Sequence, residues 1–439
     1  MSSEPAPKAD AAAPASALPG ALAALALAAG LLLGFEALHA RWPWLRDHTK
    51  APTFWDESEG EAPPAEPVVE SAPTVKAADP EIVRSLFADL AAGRRRRIRV
   101  LYFADSLIES GVLTDTLRAD LQGRYGGKGP GYQGISPWDA GDRRDVTLRP
   151  GKEWRRSGPN EALAGGAFAL GPSGEGYTLV GSPIGSLGVF PPAGADGAWY
   201  DGARFFSGPG DFDLAGRSGA QTFNLRVRGR AAFNAVRLPV PAGGAMALRV
   251  RPDRPDTVFY GISLDSPEGV QVDACALRGN LGDGPSKISD AVLRAAQKEM
   301  GWDLVVLEFG LNVLDPAQKS FAWYRADVRH TLRHLKDGLP GARFAVVSVI
   351  DHAVKGPRGM LSDPSIPKVM DAQARAAADE GAVFFDLYHA MGGPGTMARW
   401  VEQEPQCALR DYMHPNRRGG VELAHLLEGM MLPDRGAKP

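Results

Sequence analysis

Between Ile98 and Leu121 the residues alternate in character in a way that allows few folds. The apolar run Val100, Leu101, Tyr102 and Phe103 is too short for a helix, and it meets the small polar turn Ala104-Asp105-Ser106. Beyond that turn, Val112, Leu113, Leu117 and Leu121 recur at helical spacing. The stretch is therefore strand, tight turn and helix. A serine where a parallel strand ends lies in the crevice that open α/β sheets use for ligands, beside helix-terminal N–H groups. The same serine at a helix start can simply cap it, and these residues alone leave both roles open.

The rest of the chain repeats the theme. From Gly269 onward, strand-like VQVDACA, DLVVLEFG, ARFAVVSVI and AVFFDL alternate with helix-like segments near 286–300, 318–338 and 366–380. That order predicts an α/β fold with a parallel sheet, a three-layer α/β/α sandwich. Three further turns then fall at the same sheet edge as Ser106. Leu277-Arg278-Gly279-Asn280 holds a glycine that lets backbone approach a ligand, or serves as an ordinary turn glycine. Gly310-Leu311-Asn312 offers an amide at a strand end, or a helix cap. Asp411-Tyr412-Met413-His414 precedes Pro415 and a last amphipathic helix carrying Val421, Leu423, Leu426 and Leu427. A carboxylate three residues before a histidine can hold Nδ1 while Nε2 reaches a serine.

Between about Ala140 and Ser266 the helical period is absent. Short alternating segments such as GYTLVG, TFNLRVRG, AMALRVRP and TVFYGISL are separated by Gly and Pro turns. Phe223, Leu225 and Val227 alternate with Asn224, Arg226 and Arg228, the pattern of a sheet with one buried face. The expectation is an inserted β-sandwich module over 139–266, splitting the α/β domain into 80–138 and 267–434. Its role is either that of a spacer or that of a glycan-binding surface.

Ahead of the α/β part, residues 1–15 are mostly Ala, Pro and Ser, which predicts disorder. Residues 16–38 contain the Leu- and Ala-rich core GALAALALAAGLLLGF, long enough to cross a bilayer, with Trp42 and Trp44 where interfacial aromatics lie. This predicts a transmembrane signal-anchor, the alternative being a cleaved signal peptide. Residues 39–79 read as a Pro-rich, acidic tether. Pro80 opens a helix with Ile82, Val83, Leu86, Phe87 and Leu90 on one face, closed by Arg94 to Arg97. Arg41, Arg46 and Lys50 alone favour a cytoplasmic C-terminal bulk. A formal net charge of -3 over 439 residues argues against nucleic acid as the main partner. No cluster of His, Cys and carboxylates has metal-ligand spacing. Cys275 and Cys407 can form one bridge or remain separate buried thiols. His352, His389 and Trp400 either line the crevice or pack.

Taken together, the four turns resemble the blocks of the SGNH/GDSL hydrolase family, which supply Ser, Gly, Asn and His in that order. Ser106 in FADSLIES is similar to the first block, Gly279 in ALRGNL to the second, Asn312 in FGLN to the third, and Asp411 with His414 in DYMH to the last. The resemblance covers roughly residues 80–138 and 269–432. Within the family it looks most like bacterial envelope O-acetylesterases of peptidoglycan or related polysaccharide, which carry a segment similar to AMGGPGTMARW before the last block. It implies a flavodoxin-like sheet and a catalytic triad of Ser106, His414 and Asp411. It further implies an oxyanion hole of Ser106, Gly279 and Asn312, no cofactor, and an O-acetylated glycan substrate. Such enzymes work outside the cytoplasmic membrane, so the resemblance places the catalytic part in the periplasm, held to the inner membrane by the N-terminal helix. An O-acetyltransferase or a non-catalytic glycan-binding protein are the alternative readings. Two departures stand out: Ala104 replaces the glycine of the usual GDS, and Val313-Leu314 follows Asn312 where these esterases have Glu-Ala.

Overall fold

Five parallel strands run through the first of two apolar cores. In the computed structural model, which describes residues 77–137, 143–162, 169–195, 197–357 and 359–432, they are β1 (Arg97–Ala104), β13 (Gly269–Ala276), β14 (Leu304–Glu308), β15 (Arg343–Val347) and β18 (Val383–Phe385). Their order across the sheet is β13-β1-β14-β15-β18. The expected tail 1–15, membrane segment 16–38 and nearly all of tether 39–79 lie outside the described residues. Among the described residues, no helix is long and apolar enough to cross a membrane.

Burial on both faces explains why these strands are almost continuously apolar: every residue of β14 is buried, as are all but the first of β1. The covering helices are α1 (Glu81–Ala91), α2 (Thr114–Tyr125), α3 (Asp290–Met300), α4 (Ala322–Gly338), α5 (Ile366–Asp379) and α6 (Arg417–Met431). Helix α4 packs against α3 and α5, while α6 packs against α2. Local chemistry sets their ends. The Ser289 hydroxyl caps α3 by accepting from the Val292 N–H, and Gly301 stops that helix in a left-handed turn at φ 64°. The expected helix after Pro80 forms as α1, with Val83, Leu86 and Phe87 buried.

The strands between β1 and β13 form two antiparallel sheets. One contains β2 (Gly131–Gln133), β4 (Trp154–Ser157), β5 (Gly176–Leu179), β7 (Gly202–Ser207), β10 (Asn234–Arg237) and β12 (Phe259–Asp265). The other contains β3 (Thr147–Pro150), β6 (Gly185–Phe190), β8 (Gly210–Ser218), β9 (Gln221–Gly229) and β11 (Met246–Pro252). One face of each contributes to a second apolar cluster, where Phe212 meets Phe205 and Phe259 edge to face. The outer sheet shows the alternation expected of one solvated face, with Met246, Leu248 and Val250 buried between exposed neighbours. The inner sheet is buried on both faces along β5, β12 and the end of β7. Its other side sends Phe206 and Tyr260 into the first core, where they stack with Phe233 and Tyr132.

A buried ion cluster fixes this inner sheet to the parallel one. Arg99 of β1 is fully buried and donates from Nε and Nη2 to Asp273 of β13, at 2.5 and 2.8 Å, and from Nη1 to Asp265 of β12 at 2.5 Å. Asp273 also accepts from the indole of Trp302 and the N–H of Tyr132. Such a cluster is weak evidence for net stability, because desolvation offsets much of the attraction, but removing one partner strands the others.

Helix α6 begins closely against the rest of the molecule. A Cβ on Gly420 would lie 2.0 Å from the Val112 carbonyl, and one on Gly419 2.1 Å from that of Cys407. No side chain fits where backbone meets backbone at that distance. Gly420→Ala is therefore expected to lower unfolding free energy by about 1–3 kcal/mol, as overpacking does. Urea denaturation of the variant measures this, and an unchanged midpoint would show that α6 can shift without cost.

Candidate active site

The strand ends are level. Ala104 pairs with Ala276 on one side and Glu308 on the other, so the turns after β1, β13 and β14 emerge at one edge of the sheet. The Leu277 N–H donates to the Ala104 carbonyl at 2.7 Å, holding two of these turns together. Ser106 opens a short 3-10 segment (Ser106–Gly111), with the Asp105 carboxylate accepting the Leu107 N–H at 3.0 Å.

His414 arrives from the far end of the chain, on a loop tied at its base by a bridge between Ala408 and Pro415. Within it the Leu409 N–H donates to the His414 carbonyl, and Tyr412 adopts φ 58°. The Ala353 N–H donates to the Tyr412 carbonyl, so the hairpin of β16 (Ala353–Gly356) and β17 (Gly359–Ser362) braces the loop. Asn416 then caps α6, accepting from the N–H groups of Arg418 and Gly419. The loop and cap leave the imidazole beside the serine: Ser106 Oγ lies 2.8 Å from His414 Nε2, across 308 positions of sequence.

Asp411 completes the line. Its Oδ2 lies 2.8 Å from His414 Nδ1, while Oδ1 accepts the N–H groups of Met413 and His414 at 3.0 Å each. Partial burial would raise its pKa, but the bonds from the His414 N–H and imidazole and from the Met413 N–H outweigh it and hold the carboxyl below its ordinary value. An imidazole held this way has Nε2 free to take a hydroxyl proton.

The three groups expected to stabilise an oxyanion occupy the same edge. Gly279 is exposed at φ 70°, a conformation that favours glycine, and its N–H meets no acceptor among the described residues. Asn312 is exposed, and its Nδ2 donates to Asp105 Oδ2 at 3.1 Å and to the Asn280 carbonyl at 3.2 Å. Its amide thus sits at the strand end as expected, with both donors already engaged.

Beneath them lie two buried carboxyls that the sequence reading did not select. Burial pushes Asp105 up to about 6, against the pull of the Leu107 N–H, His414 and the Asn312 amide. Burial, with the Asp105 charge beside it, pushes Glu308 up to about 8, and it accepts the Tyr102 hydroxyl at 2.6 Å. A glutamate inside the apolar run DLVVLEFG was the available signal, since charged residues are seldom buried without a partner.

The other singled-out residues make contacts of their own. His389 is held by Asp386 at 2.7 Å in the same Asp-x-x-His geometry, yet its Nε2 is buried without a partner. His352 faces Asp363 at 3.6 Å, and Trp400 is buried with its carbonyl accepting from Cys407 and Ala408. Cys275 and Cys407 are both buried free thiols, so the bridge is not formed.

No family profile matches the sequence, and no curated protein matches it either. Among solved structures, a peptidoglycan O-acetylesterase matches with a TM-score of 0.64 at 21% identity, over 81% of this chain and 97% of that one. A lipase/acylhydrolase from Enterococcus faecalis matches 39% of this chain and 81% of its own at 21% identity and TM-score 0.26. A family two carbohydrate esterase from Cellvibrio japonicus matches 65% of this chain and 98% of its own at 11% identity and TM-score 0.25. The fold is a mixed α/β one with a parallel sheet, as the resemblance to SGNH/GDSL hydrolases implied. It is shared over nearly the whole length of the peptidoglycan O-acetylesterase.

The buried Asp105 has a measurable consequence. Its folded-state value exceeds the ordinary 3.8, so its contribution to stability is complete below pH 4 and is lost as pH rises through about 6. Asp105→Asn removes that loss. Measured by urea unfolding, the variant should gain on the wild type by about 2–3 kcal/mol between pH 4 and pH 7.5. A difference that stays constant with pH would mean that Asp105 is not charged at a cost.

Proposed function

We propose that this protein is a serine esterase of the SGNH/GDSL type that removes O-acetyl groups from peptidoglycan. The observation that carries the reading is the line from Ser106 Oγ to His414 Nε2 to Asp411, with both contacts at 2.8 Å. The structural likeness to a peptidoglycan O-acetylesterase supports the substrate class.

Serine at its free pKa is a poor nucleophile, so His414 takes the Ser106 proton as Oγ attacks the acetyl carbonyl. Asp411 fixes the tautomer and stabilises the imidazolium that forms. The tetrahedral oxyanion is received by the unengaged Gly279 N–H, the Ser106 N–H and the Asn312 amide, which must share a proton now directed at Asp105 or Asn280. As the bond to the sugar oxygen breaks, His414 gives that oxygen the proton and the sugar leaves with a free hydroxyl. Water, activated by the same imidazole, releases acetate from Ser106.

The two antiparallel sheets are read here as an inserted β-sandwich, on the strength of their shared apolar cluster. The catalytic part is placed in the periplasm, anchored by residues 16–38. That rests on the apolar run in the sequence and on where the proposed substrate is found.

Ser106→Ala should abolish hydrolysis of p-nitrophenyl acetate and acetate release from O-acetylated peptidoglycan, with the circular dichroism spectrum unchanged. Turnover at the wild-type rate would remove Ser106 as nucleophile. Asn312→Ala should lower kcat by about 10²- to 10³-fold, the usual cost of one oxyanion donor. A change confined to KM would instead assign Asn312 to ground-state binding.

A further inference from the structure

Outside the triad, the same edge of the sheet carries a groove of about 560 Å³ between the starts of α4 and α5. Phe321 and Pro367 contribute to its apolar wall, and its rim is cationic. Arg325 is matched by Asp379 and Arg375 by Asp371. Lys319 and Lys368 are different: both are exposed, Lys368 Nζ meets only the Gln318 carbonyl at 3.2 Å, and among the described residues neither meets a carboxylate. The first residue of the groove's lining, Lys319, follows Asn312 by seven positions, and the Asp315 N–H donates to Ser365 Oγ, fastening the α4 approach to the α5 approach.

We propose that this groove receives the carboxylates of a peptide-bearing glycan strand while the acetylated sugar sits at Ser106. The inference rests on the esterase reading and adds to it the part of the polymer that is recognised. Two unmatched ammonium groups over an apolar wall complement a carboxylate on a short aliphatic peptide. None of the groove's lining residues belongs to the serine, histidine or oxyanion turns. A carboxylate on a peptide branch can reach it, whereas one attached to the reacting ring stays beside the ester.

The test uses the full chain and the double variant Lys319→Gln/Lys368→Gln. Both lysines are exposed and lie outside the triad and oxyanion turns, so p-nitrophenyl acetate turnover should match wild type. On O-acetylated peptidoglycan fragments with intact stem peptides, KM should rise roughly fivefold, the scale of two exposed ion pairs. The same fragments stripped of peptide by an amidase should show no change. An unchanged KM on the peptide-bearing fragments overturns the proposal, as does an equal loss on an O-acetylated polyuronate, whose acids are ring-borne. If wild type releases acetate from no substrate, the esterase reading fails by itself. The groove is then judged by calorimetric Kd for non-acetylated, peptide-bearing fragments. A roughly fivefold weakening in the variant upholds it, and an equal Kd refutes it.

Discussion

The contact between the Val112 carbonyl and Gly420 holds the site together. Val112 closes the 3-10 segment that begins at Ser106, and Gly420 lies in the first turn of α6, shortly after His414. Two backbones that meet without a side chain between them set the spacing of the elements bearing the hydroxyl and the imidazole. The glycine pair, the Asn416 cap and the bridged loop from Ala408 to Pro415 all act on that spacing. Catalytic geometry here comes from backbone packing first and side-chain hydrogen bonds second.

Below the reacting edge, the polar groups are arranged by burial. Asp105 accepts both a backbone N–H and the Asn312 amide, which fixes the amide at the end of β14. Glu308, one strand over, is pushed up to about 8 and takes the Tyr102 hydroxyl. Burial first, and the Asp105 charge after it, both work against ionising Glu308.

Much of this was legible in the residues, and the reasons differ by element. The parallel strands were readable because burial on both faces demands unbroken apolar runs, and α3 to α5 because their apolar faces repeat at helical spacing. The outer antiparallel sheet was readable from alternation, whereas the doubly buried faces of β7 and β12 were hidden in short mixed segments. Placement of the triad needed the order of four turns, since a local motif does not suffice. Asp386-Leu387-Tyr388-His389 has the same spacing and the same carboxylate-to-Nδ1 contact as Asp411 to His414, and its Nε2 meets no partner. Which histidine reaches Ser106 depends on the packing of α6, a long-range property. The engagement of Asn312 by Asp105 was likewise out of reach, because it depends on strands 207 positions apart.

Arg99 limits how far the two sheets can be separated. Its guanidinium belongs to the parallel sheet, yet one of its two carboxylates is carried by β12. Cutting out the antiparallel strands and splicing the flanks would delete Asp265 together with Phe206 and Tyr260, whose rings help fill the first core. Grafting the antiparallel part onto another scaffold would require transplanting a seat for that arginine too.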